Sequence, residues 1–323
     1  MSKVQNRSTK DDEIVAAIPA ACADEKTASE FMEKQRWGEH PACPRCGDLD
    51  VYQMMNSKEP TKRQANFRWR CHGCKQQFSV RVGTIFEDSR IPLRHWCYAF
   101  WRAATSKKGV SALEIKRHTA LSYKSSLFLL HRIRYAMQDA PVAQIGGHGK
   151  IVEADETYFG TEPGKKRGKA GGALTTMNKI VSLVERKGNV RSFHVADVRG
   201  ENLKQVLTEQ IAKDTHVMTD SSPRYNLLKR EQPFAKHSQV NHSKGEYVRG
   251  IAHTNTVEGY FSILKRGLNG IYHNVSHAHL HRYLAEFDFR YTNRELSDGE
   301  RTALAIRSAN GKRLMYKTPV TVV

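Results

Sequence analysis

Four of the six cysteines fall into two C-x2-C pairs, Cys43/Cys46 and Cys71/Cys74, and this restricts the fold more tightly than any other feature of the sequence. Two such knuckles, joined by residues 47–70, supply four thiolates to the corners of a tetrahedron, the geometry Zn2+ takes in closed structural sites. Gly47 and Gly73 stand where the knuckles turn, and the flanking stretches "NFRWR" and "QQFSVRV" alternate as strands do. A zinc ribbon over about residues 40–85 follows. Because four thiolates leave no open coordination position, the zinc is structural and any catalysis must come from elsewhere. His72 is read as an exposed neighbour rather than a fifth ligand. Cys22 and Cys97 are read as small buried hydrophobes, since six cysteines in 323 residues do not make a disulfide scaffold.

Charge narrows the partner. Lysine and arginine total 52 against 33 acidic residues, giving a net charge of +19 and a pI near 9.7. Such an excess makes a polyanion, above all nucleic acid, the expected partner. No apolar window is long enough to cross a membrane, and "MSKVQNRSTKDDEIVAAIPAACADE" lacks the apolar core and cleavage site of a signal peptide, so the expected location is the cytoplasm, with the nucleoid.

The pattern divides the chain into a flexible N-terminus (1–24), a helix plus zinc ribbon (25–88), a helical segment (89–145), a mixed α/β domain (146–295) and a C-terminal tail (296–323). "DEKTASEFMEKQRWGEH" reads as a helix capped by Asp24, with Phe31 and Trp37 turned inward. "VSALEIKRHTALSYKSSLFLLHRIRYAM" reads as a short helix, a turn near "TALS" and a second helix bearing Lys124, His131, Arg132 and Arg134, a helix-turn-helix suited to DNA. From 149 to 198 three strands are expected, the last two around Lys187–Gly188–Asn189. An amphipathic helix, "GENLKQVLTEQIAK", a strand ending in Asp220 and a further helix, "TNTVEGYFSILKRG", follow.

Three acids stand at the ends or edges of these elements: Asp155 on the first strand, Asp220 at the end of the fourth and Glu258 on the later helix. Carboxylates converging at one sheet edge repel unless cations neutralise them, and two Mg2+ ions do this while activating a hydroxyl and stabilising a leaving oxygen. Lys265, two helical turns after Glu258, returns to nearly the same face and can reach a phosphate of bound DNA. Glu153 and Glu156 are expected to face away from Asp155 into solvent, and Asp197 to cap a helix or turn. The basic, glycine-rich stretch 160–172 suits a loop on the DNA backbone, and it lacks the GKS or GKT of a nucleotide-binding phosphate loop. His273, His277, His279 and His281 are read as partly exposed imidazoles, and His253 as a group that orients phosphate or water.

The stretches "ADETYFG", "VMTDSSPRYNLL" and "HTNTVEGYFSILKRGL" resemble the three acid-bearing motifs of insertion-sequence transposases of the DDE class, and "CPRCG…CHGCKQQFSVRVGTIFEDSRIPLRHW" resembles the zinc ribbon that precedes this domain in one bacterial group of them. The resemblance spans about residues 25–295. It implies an RNase H-like catalytic fold with Asp155, Asp220 and Glu258 as the acids that hold two Mg2+ (or Mn2+) ions, and Lys265 as the motif's basic residue. It also implies structural Zn2+ on the four cysteines, cleavage of DNA at the element's terminal repeats and joining of the 3'-hydroxyls to target DNA. Arg266, His253 and Asn255 are further DNA-contact candidates, and because some relatives carry asparagine in the third metal position, Asn255 rivals Glu258. A homodimer or higher oligomer on DNA is expected by analogy. The rival functions are a zinc-ribbon, helix-turn-helix regulator without catalysis and a nuclease of the same fold that cuts without joining.

Overall fold

A computed structural model describes residues 12–138, 143–164, 176–240, 251 and 253–313. Its backbone separates into two compact units: Met1–Ser106 with Val110–Met137 and Glu295–Val323, and Lys107–Gly109 with Gln138–Arg294. Among the described residues no helix is long and apolar enough to cross a membrane.

The first unit opens with α1 (Glu13–Ala23) and α2 (Glu25–Trp37). The expectation of a flexible stretch to residue 24 is thus corrected: Asp12 caps α1 by accepting from the backbone N–H groups of Ile14 and Val15 at 3.1 and 3.2 Å. Asp24 caps α2 as expected, accepting from Thr27 N at 2.8 Å. The C-terminal tail is corrected as well. Residues Asp298–Arg307 form a helix, α10, started by a reciprocal capping box between Ser297 and Glu300. The Asp12 carboxylate accepts from Ser297 Oγ at 2.7 Å and Gly299 N at 2.9 Å, so one side chain caps α1 and ties it to α10.

Between these ends lies a three-stranded antiparallel sheet of β1 (Val51–Gln53), β2 (Trp69–Cys71) and β3 (Gln77–Phe78), shorter than the alternation of "QQFSVRV" suggests. Then come α3 (Leu93–Thr105), α4 (Ala112–Thr119) and α5 (Tyr123–Met137). The turn between α4 and α5 falls at "TALS", with Ala120 in the left-handed region at φ 57°. Lys124 is exposed, but Arg132 and Arg134 are buried, which corrects their reading as DNA-facing cations. Arg132 donates to the carbonyls of Ile85 and Glu87, and its guanidinium lies 4.4 Å from the centre of the Phe128 ring. Its charge completes backbone hydrogen bonds inside the unit.

The second unit is a five-stranded mixed sheet in the order β6-β5-β4-β7-β8. Strands β4 (Ile151–Thr161), β5 (Met177–Glu185) and β6 (Val190–Val195) form an antiparallel meander, as the alternation of the sequence suggests. Helix α6 (Gly200–Gln210) then leads to β7 (His216–Asp220), which pairs parallel with β4, and α7 (Asn226–Glu231) to β8 (Lys236–Val240), parallel with β7. The polar "KHSQV" of β8 gave no strand signal because an edge strand need not bury both faces. Two apolar cores sandwich the sheet. On one face Val152, Ala154, Val181, Leu183 and Val217 pack with Leu203 and Leu207 of α6 and with Tyr225 and Leu228. On the other, Phe159, Ile180 and Val184 pack with α8 (Asn255–Gly267) and α9 (Leu280–Thr292). A turn of π-helix, Leu268–Tyr272, continues α8.

Candidate functional site

Alternation along β4 sends residues 153, 155, 157 and 159 to the α8 face and residues 152, 154 and 156 to the α6 face. The parallel register pairs Val152 with Val217 and Glu153 with Met218. The pairing ends there, two residues short of Asp155 on β4 and of Asp220 at the end of β7, so the two acids stand at the same end of adjacent strands. Helix α8 lies over this edge, and its residues 258, 261, 262 and 265 follow the i, i+3, i+4, i+7 stripe of one helix face. Asp155, Asp220, Glu258 and Lys265 accordingly line one cleft of about 490 Å³, together with Glu156, Thr157, Phe261 and Ser262.

The electrostatics of this cleft are those of crowded acids. Burial, together with the neighbouring charges of Glu156, Asp220 and Glu258, pushes the Asp155 carboxyl up to about 7, although it accepts the Glu156 backbone N–H at 2.8 Å. Asp220 accepts from Ser222 N at 3.0 Å, which fixes the turn out of β7. Glu258 accepts from Thr254 Oγ1 at 2.9 Å.

Several expected site residues lie elsewhere. Asn255, the first residue of α8, is exposed and does not line the cleft, whereas Glu258 does. Arg266 turns back to donate to the Ser262 carbonyl at 3.0 Å. His253 sets its Nδ1 3.2 Å from Glu153 Oε1, so its ring meets a buried carboxylate rather than the cleft. His277 meets Asn178 Oδ1 at 2.6 Å, with its ring 4.4 Å from that of His194. Asp197 accepts from Arg199 N at 3.0 Å and from Asn202 Nδ2 at 2.6 Å, the helix-entry role expected of it. The basic stretch 160–172 lies mostly outside the described residues.

Glu153 and Glu156 overturn their reading as solvated neighbours. Glu153 is fully buried, and the side chain of Glu156 is 5% exposed. Glu153 takes Thr256 N at 2.8 Å, Val257 N at 3.1 Å and Arg186 Nε at 2.6 Å. Glu156 takes the Tyr225 hydroxyl at 2.6 Å and the guanidinium of Arg224. The strand period was the available signal for Glu153: two residues from Asp155, it must share that residue's face.

In the first unit, the thiol sulfurs of Cys43, Cys46, Cys71 and Cys74 all lie within 4.8 Å of one another. Cys43 and Cys74 are 3.7 Å apart and Cys46 and Cys71 3.6 Å, close to the ~3.8 Å edge of a tetrahedron whose centre is about 2.3 Å from each sulfur, the usual Zn–S distance. Burial opposes the Cys43 thiolate, but the backbone N–H groups of Arg45 and Cys46 outweigh it and bring the thiol down to about 7, towards the form that ligates. The donors and their spacing fit structural Zn2+. Beneath them Trp69 and Phe78 pack around the ring of Trp37, while Glu33 binds Arg63 through two 2.9 Å bonds and accepts from Trp69 Nε1 at 2.8 Å. His72 is exposed against Asp50, away from a ligand role. Cys97 is buried, with its sulfur 3.9 Å from the Ala28 carbonyl.

Comparison with known proteins agrees with both halves of this description. Residues 145–292 match the ISXO2-like transposase domain, and residues 23–77 match the transposase zinc-ribbon domain. An uncharacterised protein in the transposable element ISH50 of Halobacterium salinarum is 27% identical over 290 residues, spanning 82% of this chain and 90% of that protein. A chain from the cryo-EM structure of the simian T-cell lymphotropic virus intasome with PP2A regulatory subunit B56 gamma is 16% identical over 53% of this chain and 70% of its own, with a TM-score of 0.22, too slight a likeness to bear on the fold. With a ribbon and a transposase domain matched in the order in which the cysteines and the acids occur, this chain belongs to the insertion-sequence transposases of the DDE class that carry an N-terminal zinc ribbon.

Proposed function

We propose that this transposase cleaves DNA at the ends of a mobile element and joins the freed 3'-hydroxyls to target DNA by divalent-metal-dependent phosphoryl transfer, with Asp155, Asp220 and Glu258 as the acids that hold the metal. The observation that carries this reading is the convergence of these three residues, from two strands and a helix, on one cleft. The strand order, a three-stranded antiparallel meander extended by two parallel strands, supports an RNase H-like assignment for the unit.

The donor set fits Mg2+ or Mn2+: it is all oxygen, and the burial and neighbouring negative charges that together hold Asp155 near 7 are what a hard divalent cation offsets. When bound, such ions neutralise charge at the scissile phosphate and activate the attacking hydroxyl. The chain's own part is positioning. Asp155 and Asp220, carried by adjacent strands, form the rigid half of the acid set, and Glu258 closes it from α8. Lys265, on the same stripe of α8, offers its ammonium to a backbone phosphate of the DNA. Charge and orientation suffice for in-line displacement, so no covalent link to a side chain is needed.

The zinc ribbon within 25–88 and the helices of 89–145 are the proposed DNA-reading modules and 146–295 the catalytic domain, acting as a dimer or higher oligomer on DNA. The test is nicking of a duplex that ends in the element's own terminal sequence, with Mg2+ present. The wild type is expected to nick it, and Glu258→Gln to bind it without nicking. Binding without nicking by the wild type would favour a DNA-binding regulator, and nicking without later joining a nuclease.

A further inference from the structure

The buried glutamates beside Asp155 lie outside the proposed set of metal-holding acids, and both are spent on holding other elements. We infer that Glu153 and Glu156 are positioning residues, Glu153 fixing the helix that carries Glu258 and Glu156 fixing the turn that follows Asp220, so that one strand sets the spacing of all three acids. The inference rests on the functional reading above.

Glu153 is buried completely, a costly place for a carboxylate unless every lone pair is used. It is used: Thr256 and Val257 donate their backbone N–H groups, Thr256 adds its hydroxyl at 2.8 Å, and Arg186 adds Nε. The backbone donors lie in the first turn of α8, where N–H groups have no partner within the helix. The residue after Val257 is Glu258. Arg186 extends the clamp by donating to the carbonyls of Ile251 at 2.9 Å and His253 at 3.0 Å, which fixes the approach to the helix. A well-packed apolar residue at 153 would hold the core at least as well as an ion pair. What the carboxylate adds is direction, because it binds the start of α8 in one place.

Glu156 works on the opposite face. Its partners Arg224 and Tyr225 belong to the 3-10 turn Pro223–Tyr225, which begins three residues after Asp220. Tyr225 is fully buried in the α6-side core, so its hydroxyl is a fixed point. The two clamps share the strand and no partner, so each should fail independently of the other.

The test is Mn2+ binding to the full-length protein by calorimetry, with the metal alone as probe. Asp155→Asn should abolish binding. Glu153→Gln and Glu156→Gln, which keep shape but lose the charge that binds several donors, should each weaken it about 10–100-fold, the range for residues that orient metal ligands. Leu207→Ala, which empties part of the α6-side core, should lower the melting temperature and leave Mn2+ affinity at the wild-type value. Should a glutamine variant not fold, Thr256→Val and Tyr225→Phe each remove one bond to these carboxylates and should weaken binding about fivefold. Glutamine variants within threefold of the wild type, beside an Asp155→Asn that fails to bind, would overturn the inference and leave the functional reading standing. Equal weakening by Leu207→Ala would also overturn it, since loss of stability would then account for the effect. A wild type that binds no Mn2+, or an Asp155→Asn that binds it normally, would remove the functional reading and this inference with it.

Discussion

The Glu153 carboxylate accepts the backbone N–H of Val257 at 3.1 Å, so the strand that carries Asp155 holds the helix that carries Glu258. The acids of the cleft are thus linked through side chains and backbone before any cation or DNA arrives. Burial and, after it, repulsion among the carboxylates leave Asp155 raised.

The raised Asp155 carboxyl contributes a pH response to the metal-free protein. The folded state holds the Asp155 proton up to about pH 7, while the unfolded chain releases it near 3.8. Between these values the native state binds more protons, so this group's destabilising effect is absent below about pH 4, grows as pH rises and is complete above about pH 7. Urea unfolding should therefore show a metal-free protein less stable at pH 8 than at pH 6, Mg2+ should raise stability more at pH 8, and Asp155→Asn should flatten both trends. A wild-type slope unchanged in Asp155→Asn would contradict this.

Removing zinc should act on the first unit alone. The ribbon's strands are two or three residues long, and its small core includes two of the ligand cysteines, so the metal supplies much of its folding energy. Cys43→Ser with Cys71→Ser should disorder about residues 40–85, read as loss of amide-exchange protection and a red shift of Trp37 and Trp69 emission. Specific DNA binding should weaken, while Mn2+ binding at the acid cleft persists. Full protection of β1–β3 in the double variant would count against a structural zinc.

Basic residues of α5 should divide by burial. Arg132→Ala is expected to cost about 1–3 kcal/mol of stability, because it strips donors from buried carbonyls. Lys124→Ala should leave stability within about 0.5 kcal/mol and lower the salt slope of DNA binding by about one. Denaturant melts beside binding titrations in a salt series would separate the two, and the opposite pattern would restore Arg132 as a DNA contact.

Gly267 marks the tightest packing at the end of α8. A Cβ there would meet Phe287 Cζ at 2.2 Å and the Lys108 carbonyl at 2.6 Å, and the carbonyl cannot rotate aside. Gly267→Ala should destabilise the second unit by about 1–3 kcal/mol in urea titrations, with zinc content unchanged. A melt within error of the wild type would show that the backbone yields.

Much of this architecture was legible in the sequence where one period or spacing dominated. The cysteine pairs, the β4–β6 meander and the acid at the end of β7 all followed from local pattern. The misses came where tertiary partners decide. Glu153 reads as a surface acid until α8 delivers Thr256 and Val257 to it and the turn after β5 delivers Arg186, although its place two residues before Asp155 already fixed its face. Arg132 and Arg134 read as DNA-facing cations because their charge hides the fact that their helix positions point inward. The "SDGE" capping box at 297–300 was an overlooked local signal for α10, and α1 was obscured by Pro19 inside it.

The central claim is chemical, and joining tests it most directly. A pre-cut element end with a free 3'-hydroxyl, a plasmid target and Mg2+ should yield joined products with the wild type. Asp220→Asn should bind the same end with unchanged affinity and join none of it. Joining by Asp220→Asn at the wild-type rate would contradict the three-acid account, as would a wild type that binds the end and never joins it.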